Sequence, residues 1–194
     1  CARYNMRMIT STYLNEQLLI AMPSLLDSVF ERSVSLVCQH DADGAMGLVL
    51  NQGSEFTLGA LFDQLDLICE NPMMRDVPVL SGGPVQPERG FVLHQDGGTW
   101  ESSLHLSNGL TVSTSRDILQ ALAAGNGPKQ YIVLLGYSGW SAGQLEQEIA
   151  ENTWLSAPAS NSIIFQAPIE QRWLAAARLL GVDLSLMSTQ AGHA

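Results

Sequence analysis

The apolar residues of this chain occur in short runs that glycine or proline ends, which limits the folds open to it. The most apolar run is QYIVLLG (Gln130–Gly136), which we interpret as a central strand of a sheet. LLIAM (Leu18–Met22), which Pro23 ends, is a shorter buried strand. No run approaches the roughly 18 apolar residues of a membrane-spanning helix. The pattern therefore predicts a globular protein with no membrane segment.

Helical patterns alternate with groups of strands along the chain. The runs Ser33–His40 and Ala45–Gln52 flank the turn DADG and predict a β-hairpin. TLGALFDQLDLI, capped by Thr57, SRDILQALAAGNGP, capped by Ser115, and PIEQRWLAAARLLG have helical spacing. NSIIFQ (Asn161–Gln166) is predicted to be a strand or an extended connection. Together these predict an α/β (α+β) fold: a single compact domain with a mixed, largely antiparallel sheet and about four flanking helices.

The domain is expected to span residues 18–186, between an N-terminal tail (1–17) and a disordered C-terminal tail (187–194). The N-terminus lacks the apolar stretch of a secretory signal, so we expect a cytoplasmic protein. Cys1, Cys38 and Cys69 show no C-x-x-C spacing, which argues against a disulfide framework or a cysteine metal site. Cys38 lies in an apolar run, where cysteine is usually a small buried hydrophobic residue.

Charge restricts the partners of this protein. Nine Lys+Arg against nineteen Asp+Glu give a net charge of −10. Sequence-independent DNA affinity needs clustered cations that neutralise about 6–10 phosphates. The few cations of this chain are scattered along it, so we do not expect a monomer to bind duplex DNA directly.

The segment GYSGWSAGQ (Gly136–Gln144) follows the apolar strand and has three interpretations. As a helix start, Ser141 and Gln144 match the S-x-x-Q capping box, and Trp140 with Leu145 matches the hydrophobic staple. As a G-x-S-x-G nucleophile elbow it lacks the last glycine, because Trp140 stands there. As an anion cradle it would use free N–H groups at the helix start.

The last two interpretations require side chains from other parts of the sequence. A hydrolase would pair Ser138 with His94 or His105, which lie upstream in the sequence. An anion site would take its positive charge from Arg89 or Arg116.

A second unusual segment is SGGPVQPERGFVLH (Ser81–His94), predicted to be a loop between two strands. Two glycines and two prolines are more than a simple connection needs. Its Arg89 and His94 are placed to meet a ligand, although a rigid loop with a surface arginine fits equally well. The DADG turn has its glycine too early for a calcium loop, so a hairpin turn is the better interpretation.

Four motifs in order, LLIAMP, GAMGLVLNQ, SGGPVQPERGFVLH and LLGYSGWSAGQLEQEIAENTWL, closely resemble the AlgH/YqgE family of bacterial proteins (UPF0301, DUF179). The resemblance runs from about Leu18 to the last helix. It implies a single compact α/β domain, cytoplasmic in Gram-negative bacteria, in a family whose members are often labelled transcriptional regulators. It carries no reaction and no catalytic residue. The family-pattern positions present are Met22, Pro23, Gly47, Asn51, Gly82, Gly83, Pro84, Val85, Arg89, Gly90, Gly136, Gly139, Trp140, Gly143, Gln144, Glu148 and Trp154.

We therefore expect a non-enzymatic cytoplasmic protein that binds a protein partner or a small ligand, with any effect on transcription being indirect. No cofactor and no metal are expected. The alternatives are a hydrolase that uses Ser138 with His94, and a regulator that binds DNA directly. The expected binding face contains Asn51, Gly82, Gly83, Arg89, Ser138, Trp140 and Gln144, with Asn51, Arg89 and Trp140 as anchors.

Overall fold

The computed structural model describes residues 13–27, 29–95 and 98–184. Most of the predicted N-terminal tail, the C-terminal tail 187–194 and part of the turn at 96–98 lie outside these residues. The strands are β1 Gln17–Ala21, β2 Val34–Asp41, β3 Gly44–Val49, β4 Gly53–Thr57, β5 Pro78–Ser81, β6 Val85–Gln95, β7 Ser103–His105, β8 Leu110–Ser113, β9 Gln130–Ser141 and β10 Trp154–Pro158. The α-helices are α1 Leu58–Gln64, α2 Pro72–Arg75, α3 Arg116–Ala123, α4 Gln144–Ala150 and α5 Arg172–Leu179.

The strands form one curled, mixed sheet in a single compact domain, as predicted. Its order is β10-β1-β2-β3-β9-β6-β8-β7, and β5 pairs with both β4 and β9. All pairings are antiparallel except β5 with β9. The predicted central strand is β9, which pairs with β6 and β5 along its first part and with β3 along its last. β9 therefore joins the β10-β1-β2-β3 side of the sheet to the β6-β8-β7 side.

Three hydrophobic clusters cover the faces of this sheet. The largest joins Leu36, Leu48 and Leu134 of the sheet to Trp173 of α5. A second lies under α1 and α3, and a third lies under α4, with Leu145 at its centre. The helices thus cover the sheet on both of its faces. No helix in the described part of the chain is long and apolar enough to cross a membrane.

Local predictions are confirmed at the hairpin and at the start of α1, and in position only at the start of α3. Asp41 pairs with Gly44 across the DADG turn. The Thr57 hydroxyl accepts a hydrogen bond from the Ala60 N–H at the start of α1. Ser115 occupies the N-cap position of α3, but its hydroxyl donates to Asp117 instead of capping the helix.

Three element predictions are wrong. β9 continues to Ser141, and the chain reverses only at residues 142–143, because β3 pairs with β9 as far as Ser141. The predicted loop Ser81–His94 is mostly strand, since β6 begins at Val85. The segment Ser162–Gln166 is a π-helical turn. Its two consecutive isoleucines are both buried, and so short an apolar run does not distinguish a strand from a helical turn.

Candidate functional site

The motif at the end of β9 is a packed junction between β9, α4 and β10. Glu148 Oε2 accepts hydrogen bonds from the Trp140 indole at 2.9 Å and from the Trp154 indole at 2.8 Å. Glu148 Oε1 accepts from Gln144 Nε2 at 2.8 Å, and Gln144 Oε1 accepts from the Ser141 N–H at 3.0 Å. Trp140 is only 7 % exposed. It is therefore a core residue, not the exposed anchor that we expected.

The helix-start interpretation of this motif is correct for the staple and for one capping-box bond, but not for the position of the N-cap. Trp140 and Leu145 pack in the same cluster, as the hydrophobic staple requires. The N-cap position belongs to Gly143, whose φ of 75° is left-handed, and not to Ser141. Gln144 still reaches back to the Ser141 N–H, so one of the two capping-box bonds is present.

Gly82 and Gly83 allow two backbones to cross at close range. A Cβ on Gly82 would lie 2.3 Å from the Gly136 carbonyl oxygen, and one on Gly83 would lie 2.3 Å from the Tyr137 carbonyl carbon. Gly82 also donates to the Leu135 carbonyl at 2.8 Å. These contacts explain both glycines by packing alone.

Ser138 is buried and lies too far from either histidine to form a catalytic pair. Its hydroxyl donates to the Gly82 carbonyl at 3.3 Å. His94 is opposite Tyr131, seven residues from Ser138 along β9, which is about 23 Å at strand spacing. His105 is opposite Thr111, which is also the partner of His94, so it lies at the same end of the sheet. His94 Nε2 instead hydrogen-bonds Ser113 Oγ at 2.9 Å.

Asn51 uses its side chain within the fold. Its Oδ1 accepts from the Val34 N–H at 2.8 Å, and its Nδ2 donates to the Arg32 carbonyl at 2.8 Å. The amide thus holds the chain at the start of β2 and is not available as a binding anchor.

The irregular part of β6 is a bulge, residues 86–89, which we call the β6 bulge. Val85 is opposite Tyr137 and Gly90 is opposite Leu135, so four residues of β6 face the single residue Gly136 of β9. All four are exposed, and Gln86 has the left-handed φ of 47° that a side chain beyond glycine rarely adopts. Bulges often re-aim side chains next to binding sites.

Arg89 is the charged residue that the β6 bulge presents. Its guanidinium carbon lies 5.3 Å from the centre of the Phe91 ring, and Nη1 makes a long 3.4 Å hydrogen bond to Gln86. No carboxylate of the described residues lies within ion-pair distance of it. The position of Arg89 is separate from the tryptophan junction. Trp140 lies five residues beyond the partner of Gly90, about 17 Å along β9.

Arg89 lines two cavities. The first, the helix-side cavity, has a volume of about 220 Å³ and lies between the sheet and helices α1 and α3. The second, the β7-side cavity, has about 360 Å³ and is lined by Met46, Ser103, Leu104 and Tyr137. Arg89, which was expected in the binding face, is therefore an exposed charged residue beside two cavities that have room for a ligand.

Only part of this site could be predicted from sequence patterns. Pro87, which precedes the apolar run Phe91–Leu93, is a typical sign of a bulge or an edge strand and could have been used as a signal. Glu88 and Arg116, which line the helix-side cavity with Arg89, are brought there by strand register and helix packing. Within the described ranges, no group of three His, Cys, Asp or Glu residues could hold a metal ion.

Comparisons with known proteins agree with the fold. A family model described as DUF179, AlgH-like, matches residues 18–185. A UPF0301 protein of Stenotrophomonas maltophilia strain K279a is 52% identical over 185 residues, covering 95% of this chain and 98% of its own. A UPF0301 protein of Xanthomonas campestris pv. campestris strain B100 is 50% identical, covering 96% and 99%.

Two solved structures are also similar. The solution structure of the AlgH protein from Pseudomonas aeruginosa superposes with a TM-score of 0.78 at 45% identity, covering 97% of this chain and 100% of that one. A Corynebacterium diphtheriae protein, at 23% identity and a TM-score of 0.68, covers 90% of this chain and 91% of its own and shares the fold. The family motifs lie in the packed junction and the glycine crossing, and the matches cover nearly the whole chain. The chain therefore belongs to the AlgH-like DUF179 family.

Proposed function

We propose that this protein is a non-enzymatic cytoplasmic binding protein, whose ligand is held by Arg89 in the β6 bulge. The ligand is a small anion or an acidic segment of a protein partner. The observation that carries the proposal is the environment of Arg89. Its guanidinium is exposed, has no carboxylate partner in the described chain, and borders two cavities.

Arg89 is distinguished from the other described cations by its position beside both cavities. The chain has only nine Lys+Arg for nineteen Asp+Glu, yet Arg89 makes no ion pair with any described residue. The planar guanidinium suits carboxylate and phosphate groups, which it binds with two parallel hydrogen bonds. Phe91 supports one face of the group and limits its conformations.

The binding role is favoured over hydrolysis because the proposed nucleophile has no base. Ser138 is buried, and both candidate histidines lie at the far end of the sheet. A role in transcription, if the protein has one, would be indirect, because the net charge of −10 opposes contact with phosphates of DNA.

A thermal-shift screen against nucleotides, sugar phosphates and acidic metabolites tests the proposal. A ligand at 100 times its Kd adds about 2.7 kcal/mol of stability, or about 5–10 °C in Tm for a domain of this size. Arg89→Ala is expected to abolish the shift. The matched control is Arg178→Ala, which removes an exposed arginine of α5 that lines neither cavity.

If no small anion raises Tm, a protein partner is first recovered with the wild-type protein and purified. Its binding to Arg89→Ala and to Arg178→Ala is then compared. Retention of the partner by Arg178→Ala and its loss by Arg89→Ala would support the proposal. Equal binding to both variants, of a small anion or of a partner, would contradict it.

A further inference from the structure

We infer that the helix-side cavity binds the apolar tail of a small amphipathic anion, whose carboxylate or phosphate head lies between Arg89 and Arg116. This inference rests on the proposed function and deepens it, because it names the chemical class of the ligand. The β6 bulge places Arg89 at the mouth of the cavity, and the first residue of α3 places Arg116 there.

The walls of the helix-side cavity are mainly apolar, and Ser113, Thr114 and Ser115 add hydroxyl groups to the lining. The apolar walls are formed mainly by Leu61 and Leu65 at α1, Leu119 of α3, Val92 of β6, and Val133 and Leu135 of β9. At about 30 Å³ for a group the size of water or methylene, a volume of about 220 Å³ holds about seven such groups. An apolar cleft with a few convergent polar groups is typical of small-molecule sites.

The mouth of the cavity provides cationic donors. Arg116 is exposed, and one of its Nη atoms donates to the Leu65 carbonyl, which fixes the group beside the cavity. The other donors of Arg116 have no acceptor within the described chain. Arg89 likewise has only its long contact with Gln86. Two guanidinium groups at the mouth of an apolar cleft match an anionic head joined to an apolar tail.

Glu88 limits the charge of the ligand. It is the third charged residue in the lining, and it forms no ion pair with Arg89, Arg116 or any other described cation. Two arginines and one glutamate give the lining a net charge of +1 (2 − 1). The lining therefore favours a carboxylate over an alkyl phosphate, whose head carries about −1.5 to −2 charges at pH 7. Glu88 reduces the affinity for any anion.

Calorimetric titration with two series of ligands tests the inference. The first series is straight-chain carboxylates from acetate to dodecanoate, and the second is the alkyl phosphates of the same lengths. The affinity should rise about fourfold for each added methylene, and it should stop rising near seven carbons, when the cavity is full. Octanol and octylamine, which lack the negative head, should bind at least tenfold more weakly than octanoate. The better of the two series identifies the head group.

Variants locate the site and separate the two proposals. Glu88→Gln should tighten octanoate binding several-fold, and Arg116→Ala should weaken it about tenfold. Leu119→Trp should fill the cavity and remove the dependence on chain length, whereas Leu104→Trp in the β7-side cavity should leave it intact. If Leu119→Trp does not fold, Leu119→Ala should move the length optimum to longer chains.

Three results would overturn the inference. Binding of acetate or phosphate at Arg89 with no gain from longer chains would leave the proposed function standing without the tail site. Unchanged binding in both Leu119 variants would place the tail elsewhere. Binding that Arg89→Ala leaves intact would contradict the proposed function as well.

Discussion

At the scale of single residues, one carboxylate organises the junction between β9, α4 and β10. Glu148 accepts both indole N–H groups, and its second oxygen accepts from Gln144. The rings of Trp140 and Trp154 meet edge to face with centroids 6.2 Å apart, and Phe30 contacts both. Because buried indoles need an acceptor, this glutamate is required by the two tryptophans and not by a ligand.

Glu148→Ala is expected to lower the free energy of unfolding by about 2–4 kcal/mol, because two largely buried donors lose a charged acceptor. The matched control is Glu151→Ala at the C-cap of the same helix, where an exposed carboxylate accepts only from Gln147, and its effect should be within about 0.5 kcal/mol. Urea denaturation of the three proteins measures the difference. Equal losses for the two variants would show that the junction does not depend on Glu148.

The thiol of Cys38 makes the free energy of unfolding depend on pH in the alkaline range. Burial raises the pKa of its thiol from 9.0 to about 12. The unfolded thiol therefore ionises first, above about pH 9, so the contribution of Cys38 is complete below that pH. As the pH rises toward 12, this contribution is lost, by up to about 1.4 kcal/mol per pH unit.

Comparison of the wild-type protein with Cys38→Ala should reveal this loss. The wild type should be the more stable at about pH 8, since alanine leaves a cavity, and its advantage should shrink between about pH 9 and pH 11. Urea midpoints across this pH range measure the change. An advantage that stays constant with pH would mean that the folded thiol ionises normally.

At the scale of elements, the link from β5 to β6 crosses β9 at very short range. Gly82 and Gly83 approach Gly136 and Tyr137 so closely that any Cβ would collide with backbone atoms. The same crossing places the β6 bulge against Gly136, whose own φ of 73° is left-handed. The glycines therefore set the position from which Arg89 reaches the two cavities.

Gly83→Ala is expected to destabilise the protein by at least about 3 kcal/mol, because its Cβ would clash with the Tyr137 backbone and its φ of 148° is rarely open to alanine. The matched control is Gly53→Ala in β4, where a Cβ meets nothing within 4 Å. Thermal unfolding of both variants measures the cost. A Gly83→Ala protein as stable as the control would show that the crossing can relax.

At the scale of the whole molecule, net charge and cation placement decide which partners are open. The described cations include Arg75, paired with Asp63, and Arg172, buried against backbone carbonyls, so neither adds to a basic surface. Burial lowers the pKa of Arg172. The ordinary pKa of an arginine side chain lies far above neutral pH. The cationic side chains that remain exposed are too sparse to neutralise a run of phosphates.

Mobility-shift assays with duplex DNA at about 50 mM salt should therefore show no complex at micromolar protein. The proper comparison is the same assay with a basic DNA-binding domain of similar size. A complex that weakens steeply as salt rises would contradict this expectation and would restore direct DNA binding as the function.

Much of the fold was predictable because it depends on local patterns. Apolar runs identified β1, β2, β3 and β9, and glycine at position 44 marked the hairpin turn. The end of β9 was not predictable, since GYSGWS is typical of a turn. Its extension to Ser141 depends on pairing with β3, which is distant in sequence. For the same reason Ser138, which was expected in the binding face, is buried.

The sequence alone determined the family, the mixed sheet and the acidic charge, because each depends on residue types and their order. Only the tertiary structure decided which motif residues serve packing and which face solvent. Trp140 of β9 and Trp154 of β10 both donate to Glu148 of α4, and Gly82 and Gly83 permit a crossing of backbones distant in sequence. Arg89 meets Arg116 at one cavity because a four-residue bulge and the start of α3 converge there, and no local pattern encodes that meeting.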